Sequence, residues 1–179
     1  MEYIDILNPD GSPAGFSAPR TKVHSEGLFH RSIHLWIINS KSELLVQKRS
    51  LSKKAHPGLW DVSCAGHIES GDTPENTVIR ETREELGIGI KAGDFRFCHT
   101  VLTKNVHNSG TYIDNEYIDV FLMEKDVRIE DINFDRSEVS DVKYISLNDF
   151  KALVTRKSPE ISPHYEEYDL ILNTVLSVP

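Results

Sequence analysis

Hydrophobic and polar residues alternate near the start of the chain, as they do in a strand that is buried on one face. Tyr3–Leu7 is the first such stretch, and Asn8–Gly11 has the composition of a turn. Pro13, Gly15 and Pro19 then predict an irregular lead-in, because proline and glycine disfavour regular strands. One strand is therefore expected before residue 20.

A second pair of strands is predicted from the next apolar stretches. Leu28–Ile38 is almost continuously apolar toward its end, which is typical of a strand with both faces partly covered. Asn39–Ser42 has turn composition, and Glu43–Arg49 follows as another strand. The two strands are expected to form a hairpin, and a basic loop at Lys53–Gly58 follows it.

The second half of the chain reads as strands followed by helices. Phe95–Lys104, Tyr112–Met123 and Asp141–Ile145 are the predicted strands. Leu147–Thr155 is a predicted short helix, and His164–Val178 is a longer one with apolar residues at helical spacing. This order, with strands first and helices in the middle and at the end, predicts an α/β fold. In this α/β/α sandwich, helices cover both faces of a mixed sheet.

The most informative stretch lies between these halves, where three glutamates recur at helical spacing. Glu81, Glu84 and Glu85 stand at i, i+3 and i+4, so a helix places all three on one face. Like charges at this spacing destabilise an isolated helix by roughly 0.2–0.5 kcal/mol per pair. A bound cation removes that repulsion, and carboxylate oxygens suit Mg²⁺ or Mn²⁺. The alternative is a solvated acidic helix face with no ligand.

Helix-end signals agree with this placement. Asp72 or Thr73 can cap the N-terminus, and Pro74 suits the first turn. Gly87 is placed to end the helix. Before the helix, Gly66 allows the backbone to come close to a metal or a phosphate.

Residues 66–88 read GHIESGDTPENTVIRETREELGI and resemble the Nudix box. That box is Gly, five residues, Glu, seven residues, Arg-Glu-x-x-Glu-Glu-x-Gly and an apolar residue. The matching positions are Gly66, Arg80, Glu81, Glu84, Glu85, Gly87 and Ile88. Asp72 stands where the family has Glu, and Thr82 where it usually has an aliphatic residue. The resemblance implies a single Nudix domain over residues 1–179, with the layered α/β/α fold of that family.

The resemblance also implies an activity, which is metal-dependent hydrolysis of a diphosphate bond in a nucleoside diphosphate linked to another group X. The metal ligands that it implies are Gly66 through its carbonyl, Glu81, Glu84 and Glu85. Glu84 or Glu116 is expected to take the proton from the attacking water, and Arg80 to orient the carboxylates. Mg²⁺ or Mn²⁺ is the expected cofactor, and a small-molecule diphosphate is the expected substrate.

A second set of residues resembles the metal site of type I isopentenyl-diphosphate isomerases, which share the Nudix fold. Its members are His24, His30, His67, Asp114 and Glu116. Asp114 and Glu116 stand at i, i+2 on a predicted strand, so their side chains share a face. The resemblance leaves open whether these residues hold a second metal or whether the histidines are structural and Glu116 lies at the surface.

The isomerase resemblance extends over Gln47–His67 and includes residues that hold the diphosphate in those enzymes. Arg20, Arg49 and Lys53 match these positions, although basic residues beside a strand end are commonly only solvated. Arginine can hold a phosphate through two hydrogen bonds, whereas lysine provides a point charge. These three residues are therefore predicted to bind the substrate phosphates. Ile161–His164 also resembles a late isomerase motif, in which the last residue is usually Trp.

Two features argue against isomerase activity. Ala65 occupies the position of the catalytic cysteine in the isomerases, and alanine cannot transfer the proton that moves a double bond. Cys64 is one residue earlier, so on a strand it faces the other side of the sheet. The acidic box is intact, whereas the isomerases erode it, and this favours the hydrolase. The isomerase and a non-catalytic nucleotide-binding Nudix module stay as alternatives.

Composition narrows the partners and the compartment. The chain has 179 residues, a net charge of −8 and two cysteines. A net negative charge disfavours nucleic acid as a partner, because phosphate-backbone binding needs clustered cations. The chain has no apolar run near the ~18–20 residues that cross a bilayer, and its acidic N-terminus resembles no secretory signal, so no membrane association is expected. Two cysteines favour a reduced, cytoplasmic location. Oligomeric state is open, with a homodimer among the alternatives.

Overall fold

A computed structural model describes residues 1–176 of the chain. Within those residues a nine-stranded mixed sheet lies between helical layers, which confirms the predicted α/β/α sandwich. The strands are β1 (Tyr3–Leu7), β2 (Pro13–Pro19), β3 (Phe29–Ile38), β4 (Glu43–Arg49), β5 (Trp60–Asp61), β6 (Cys64–His67), β7 (Phe95–His107), β8 (Tyr112–Glu124) and β9 (Val139–Ser146). The helices are α1 (Arg20–Glu26), α2 (Pro74–Leu86), α3 (Leu147–Thr155) and α4 (Tyr165–Leu176).

Strand β3 organises the sheet. It pairs in antiparallel fashion with β1, β4 and β6, and in parallel with β8. Its register places His30 beside Glu116 on β8, and Ser32 beside His67 on β6. Alternate residues of a strand share one face, so His30, Ser32 and His34 project to the same side of the sheet. Glu116 and His67 are distant from His30 and Ser32 in the sequence, and the sheet register brings them together.

The two faces of the sheet carry separate cores. On one face, Trp36 packs with residues of α3 and α4, among them Phe150 and Tyr168. On the other face, α2 buries Val78 and Leu86 against the sheet. Full burial of one large apolar side chain stabilises a fold by roughly 1.5–3 kcal/mol. These contacts fix α2, and with it the acidic helix face, against the centre of the sheet.

Helix α2 begins and ends where its sequence predicts. The Thr73 hydroxyl accepts a hydrogen bond of 3.2 Å from the Asn76 amide, so Thr73 is the N-cap. Gly87 adopts a left-handed conformation with φ of 70° and ends the helix. Thr82 is fully buried, and its hydroxyl donates a 2.7 Å bond to the Val78 carbonyl. That bond explains how a polar residue occupies a position that is usually aliphatic.

Several expectations about the strands and helices are confirmed, and two are wrong. The predicted hairpin forms, because β3 and β4 pair through Ile37 and Leu45. Pro13–Pro19, expected to be irregular, forms β2, an edge strand that pairs with β1 and leaves its prolines at the strand ends. Helix α1 was not predicted, because its seven residues give a weak periodic signal. The predicted end of α4 at Val178 lies outside the described residues.

The remaining boundaries differ by a few residues. Strand β7 continues to His107, three residues beyond the predicted end, and β9 starts at Val139. Helix α3 has its predicted bounds. Within residues 1–176, no helix combines the length and apolar character needed to cross a bilayer.

Candidate active site

A cavity of about 530 Å³ lies at the junction of α2, β3, β6, β8 and the loop that precedes β5. Eleven of the predicted site residues line it: Arg20, Arg49, Lys53, Gly66, His67, Arg80, Glu81, Glu84, Glu85, Asp114 and Glu116. His24 and His30 lie behind this lining and contact it through their ring nitrogens. The residues that the sequence singles out therefore meet in one place, although they come from five regions of the chain.

The three glutamates on the acidic face of α2 differ in exposure. Glu84 is the most exposed, with 60% of its side chain accessible, whereas Glu81 is at 14%. Arg80 holds both carboxylates, with Nη1 at 2.8 Å from Glu81 and 3.2 Å from Glu84. Glu85 is buried and accepts a 3.0 Å hydrogen bond from the Gln47 side-chain amide. The acidic face thus runs from solvent at Glu84 into the protein at Glu85.

The electrostatics of this face fit a cation. Burial, with a smaller contribution from the nearby Glu85, raises the pKa of Glu81 to about 7, although Arg80 opposes the shift. Burial also raises the pKa of Glu85. Carboxyls with raised pKa values are costly to ionise together without a positive charge nearby. A hard divalent ion provides that charge, so the residues present fit Mg²⁺ or Mn²⁺.

Gly66 lies against the Glu81 carboxylate. A Cβ atom on residue 66 would be 2.2 Å from Cδ of Glu81, a distance that no real contact reaches. Glycine at this position is therefore required for the carboxylate to occupy its place, independently of backbone conformation. The role of the Gly66 carbonyl as a metal ligand stays a prediction.

The histidine cluster consists of His24, His30 and His67, and their free ring nitrogens are turned inward. His24 Nδ1 lies 2.8 Å from the Arg20 carbonyl, and His30 Nδ1 lies 2.9 Å from the Leu28 carbonyl. Because a carbonyl only accepts hydrogen bonds, each Nδ1 carries a proton, and when the ring is neutral its lone pair is therefore on Nε2. Nε2 of His67 is 3.2 Å from Nε2 of His24. Hydrogen bonds of this kind orient histidine for metal binding.

Carboxylates complete this cluster. Glu116 Oε1 lies 3.2 Å from His30 Nε2 and 3.4 Å from His67 Nε2. One ligand atom from each of His24, His30, His67 and Glu116 falls within 4.8 Å of the others. Burial opposes ionisation of Glu116, but hydrogen bonds from His30 and His67, which donate through a protonated Nε2, hold its pKa well below the usual range. The cluster therefore presents imidazole nitrogens around an ionised carboxylate, which suits a divalent transition metal.

Asp114 lies at the edge of this cluster. Its Oδ1 is 3.1 Å from His24 Nε2, and its Oδ2 is 3.4 Å from His107 Nε2. Among the described residues, the buried Oδ1 atom has no hydrogen-bond partner. A buried carboxylate oxygen without a donor is costly, and a cation between Asp114 and His24 would satisfy both. The residues predicted for a second metal thus fit one.

The three cations predicted to bind phosphate all line the cavity, and each already has a carboxylate partner. Arg20 pairs with Glu2 at 2.9 Å, and Arg49 pairs with Asp61 at 3.3 Å. Lys53 pairs with Glu138. These partners partly neutralise the cations, so a bound phosphate would have to compete with or displace them. Their phosphate-binding role stays a prediction.

Some lining residues were not predicted for the site. They are Glu2, Ser32, His34, His56, Asp61, Glu69, His107, Asp135, Glu138 and His164. No local motif marks most of them, because they approach the cavity through strand register or loop folding. His164 is the last residue of the isomerase-like motif Ile161–His164, and that motif is a sequence signal for its place in the site.

The family model for the NUDIX domain matches residues 28–167 of this chain. The chain belongs to the Nudix family. This match includes the acidic helix, β3 and most of the cavity lining, and it confirms the resemblance drawn from the box. Members of the Nudix family generally use divalent cations, in agreement with the acidic cluster.

Curated relatives agree with this assignment. The chain is 36% identical over 166 residues to Nudix hydrolase 3 of Arabidopsis thaliana, covering 91% of this chain but only 22% of that protein. A Nudix hydrolase of Listeria monocytogenes is 31% identical, with 92% of this chain and 90% of the relative covered. The isopentenyl-diphosphate Δ-isomerase of Escherichia coli is 35% identical, with 83% and 79% covered. Similarity to both groups confirms that, within the Nudix family, this enzyme resembles the isopentenyl-diphosphate isomerases.

Solved structures support the fold. The crystal structure of a Deinococcus radiodurans protein superposes with a TM-score of 0.72 at 21% identity, covering 97% of this chain and 99% of that one. A MutT protein from Methanosarcina mazei gives 0.64 at 19% identity, covering 83% and 96%. At these identities the similarity establishes the Nudix architecture alone.

Proposed function

We propose that this Nudix enzyme hydrolyses a diphosphate bond in a nucleoside diphosphate linked to a further group X, with Mg²⁺ or Mn²⁺ as cofactor. The observation that carries the proposal is the acidic face of α2. Glu81, Glu84 and Glu85 line one cavity together with Arg49 and Lys53. Carboxylates to hold a metal and cations to hold phosphate are what phosphoanhydride hydrolysis requires.

The positions of the residues suggest separate roles in metal binding and in orienting the carboxylates. Glu81, Glu84 and Glu85, with the Gly66 carbonyl, would hold the ion. A divalent ion held there offsets charge on the phosphoryl oxygens and makes water a better nucleophile. Arg80 is a positioning residue, since its guanidinium bonds Glu81 and Glu84 in one geometry.

Two carboxylates are candidates for the group that takes the proton from the attacking water, and their surroundings differ. Glu116 is engaged by His30 and His67, and only 16% of its side chain is exposed, so it is poorly placed to exchange a proton with solvent. Glu84 is exposed at the mouth of the acidic face and is free to exchange a proton with solvent. We assign the base to Glu84 and a metal-ligand role to Glu116.

A second ion at the histidine cluster forms part of the proposal. His24, His30 and His67 would bind it through Nε2, and Asp114 and Glu116 through their carboxylates. The hydrogen bonds from Nδ1 to backbone carbonyls support this role, because in the neutral ring they place the lone pair on Nε2. Arg20, Arg49 and Lys53 would hold the diphosphate, since all three line the same cavity. The single-domain assignment of residues 1–179 and the cytoplasmic location stay predictions.

Glutamine substitutions test the acidic face. Glu84→Gln and Glu85→Gln each remove a charge while keeping the size of the side chain. Each is expected to lower kcat at least ~100-fold in a phosphate-release assay with Mg²⁺. Glu75→Gln is the matched control, because Glu75 lies exposed on the first turn of the same helix. Unchanged turnover in both variants, with circular dichroism showing an intact fold, would contradict the mechanism.

Isomerisation of isopentenyl diphosphate to its allylic isomer is the second candidate function, favoured by the histidine cluster. The position of Cys64 argues against it. Cys64 is fully buried in the core beneath α2, whereas Ala65 lines the cavity. Burial raises the pKa of the Cys64 thiol, and the neighbouring Glu85 raises it further. Incubation with isopentenyl diphosphate, followed by a search for the allylic isomer, separates the two candidates.

A further inference from the structure

Two buried side chains on one face of β3 line the cavity without a role in the function proposed so far. They are Ser32 and His34, which are 4% and 6% exposed. As alternate residues of one strand they share a face and are about 6.6 Å apart along it. Neither belongs to the acidic face of α2 or to the predicted metal ligands. We call these two residues the β3 pair.

A buried carboxylate holds His34 at only one of its two ring nitrogens. His34 Nδ1 lies 2.7 Å from Glu167 Oε2, and the other oxygen of Glu167 accepts a 2.8 Å hydrogen bond from the Trp36 indole. These two bonds fix the carboxylate and the orientation of the imidazole ring. Among the described residues, none forms a hydrogen bond with Nε2 of His34. The ring therefore keeps one nitrogen for a ligand in the cavity.

Protonation of His34 makes that second nitrogen a hydrogen-bond donor. Burial disfavours the charged ring, but Glu167, with smaller contributions from Asp61 and Glu116, raises the pKa of His34 from 6.5 to about 8. A protonated imidazole donates from both nitrogens and has no lone pair. Since Nδ1 donates to Glu167, the Nε2–H group is the donor that His34 presents to the cavity.

Ser32 supplies a hydroxyl beside this donor. Its Oγ is buried and makes no hydrogen bond within the described part of the chain. A buried hydroxyl without a partner costs free energy, which a ligand oxygen that accepts its proton would recover. Phosphoryl oxygens only accept hydrogen bonds and carry negative charge, so they suit both members of the β3 pair.

The β3 pair differs from the three cations that the sequence predicts for phosphate binding. Arg20, Arg49 and Lys53 each meet a carboxylate through the same charged group that a phosphate would need. His34 meets Glu167 through Nδ1 and would meet a phosphate through Nε2. A phosphate can therefore bind His34 without breaking an existing ion pair.

We propose that Ser32 Oγ and His34 Nε2 form a phosphoryl-oxygen subsite on β3 that binds the diphosphate of the substrate directly. The subsite rests on the proposed function and adds two binding residues to it. Hydrogen bonds from a charged donor to a phosphate are about twice as strong as neutral ones. A fixed donor of this kind stabilises the negative charge of the phosphoryl group under attack. Its rigid attachment to Glu167 means that little reorganisation accompanies binding.

Calorimetric titration with a diphosphate that cannot be hydrolysed tests the subsite. The ligand is methylenediphosphonate with Mg²⁺ near neutral pH. His34→Asn keeps a donor for Glu167 but removes Nε2, and should raise the Kd about tenfold or more. Ser32→Ala should raise it about three- to tenfold. His99→Asn is the matched control and should bind like the wild type, since His99 does not line the cavity.

Nuclear magnetic resonance of protein with ¹⁵N-labelled histidine observes the proposed contact in the wild type. The Nε2–H signal of His34 is assigned by its absence from His34→Asn. It should move downfield when methylenediphosphonate is added, as expected for a new hydrogen bond to a charged acceptor. A purely structural role for His34 would leave this signal in place. Binding of Mn²⁺ should be the same in His34→Asn and the wild type, because His34 is not a proposed metal ligand.

The outcomes separate the subsite from the activity. Unchanged affinity in both variants, or an unmoved His34 signal in the ligand-bound wild type, would overturn the subsite and leave the hydrolase in place. Weaker Mn²⁺ binding by His34→Asn would also overturn it, because the loss of affinity would then act through the metal. Failure of methylenediphosphonate to bind an active wild-type protein would overturn the subsite alone. The same failure without hydrolysis of any nucleoside diphosphate derivative would overturn both proposals.

Discussion

Gly66 illustrates how a single residue determines the geometry of the acidic cluster. The Glu81 carboxylate occupies the space that any side chain on residue 66 would need. The sequence predicts Gly66 as a site where the backbone approaches a metal or a phosphate, yet the neighbour that requires glycine is a carboxylate. The reason that the Nudix box has glycine at this position is therefore steric.

Substitution of Gly66 by alanine tests that explanation. The new Cβ must displace Glu81, and a ligand misplaced by about 1 Å can cost roughly 100-fold in rate. We expect Gly66→Ala to lose about that much in kcat/KM, and the overpacking to lower the free energy of unfolding by about 1–3 kcal/mol. Initial-rate kinetics and urea denaturation measure the two effects.

Gly89→Ala is the matched control for this substitution. Gly89 has no positive φ, and no atom of the described residues lies within 4 Å of the position that its Cβ would take. Its substitution should leave kcat/KM within about twofold of the wild type, since surface changes usually have small effects. If Gly66→Ala behaved like Gly89→Ala, the steric explanation would be wrong.

At the scale of elements, α4 is tied to the sheet by a buried ion pair. Glu167 accepts hydrogen bonds from His34 at 2.7 Å and from the Trp36 indole at 2.8 Å. Its side chain is 1% exposed. The pair fixes α4, and the adjoining His164, beside the cavity. Sequence periodicity predicts α4 as a helix, but it gives no sign of this bond across more than a hundred residues.

The ion pair predicts a dependence of stability on pH. Burial disfavours the charged form of His34, but Glu167, with smaller contributions from Asp61 and Glu116, raises its pKa from 6.5 to about 8. Because the folded pKa is the higher one, the stabilisation is complete below pH 6.5 and is lost as the pH rises through 8. A shift of this size corresponds to about 2 kcal/mol of the free energy of unfolding.

Urea denaturation of metal-free protein at about pH 6 and about pH 9 measures this dependence. Glu167→Gln should abolish the loss of stability that His34 causes, because glutamine keeps an acceptor for Trp36 but carries no charge. Glu166→Gln, an exposed neighbour on the same helix, should retain the wild-type profile. An unchanged profile in Glu167→Gln would mean that other groups determine the pH dependence.

For the whole molecule, the sequence predicts the layered fold and the acidic helix because these depend on local signals. Thr73, Pro74 and Gly87 mark the ends of α2, and its apolar residues mark the buried side. Edge strand β2 was missed because its proline and glycine content conceals a pairing made with β1. The lining from His34, His56 and Asp61 could not be predicted, since it depends on strand register and loop folding.

The histidine cluster joins parts of the chain that are distant in sequence. His24 comes from α1, His30 from β3, His67 from β6 and Glu116 from β8. An ion bound to all of them would cross-link these elements in the folded state only. Since ligands that bind only the folded state stabilise it, an ion at about 100 times its Kd would add about 2.7 kcal/mol.

Manganese titration followed by electron paramagnetic resonance measures both proposed sites in one experiment. The wild-type protein should bind two ions, with Glu81→Gln losing the site on α2 and His30→Asn losing the site of the histidine cluster. Chelation should lower the Tm of the wild type and of Glu81→Gln, but should have a smaller effect on His30→Asn, because the cross-linking ion is already absent. His99→Asn provides the control for histidine replacement, since His99 lies outside the cluster. A single ion, lost equally in both variants, would show that the acidic face and the histidines form one metal site.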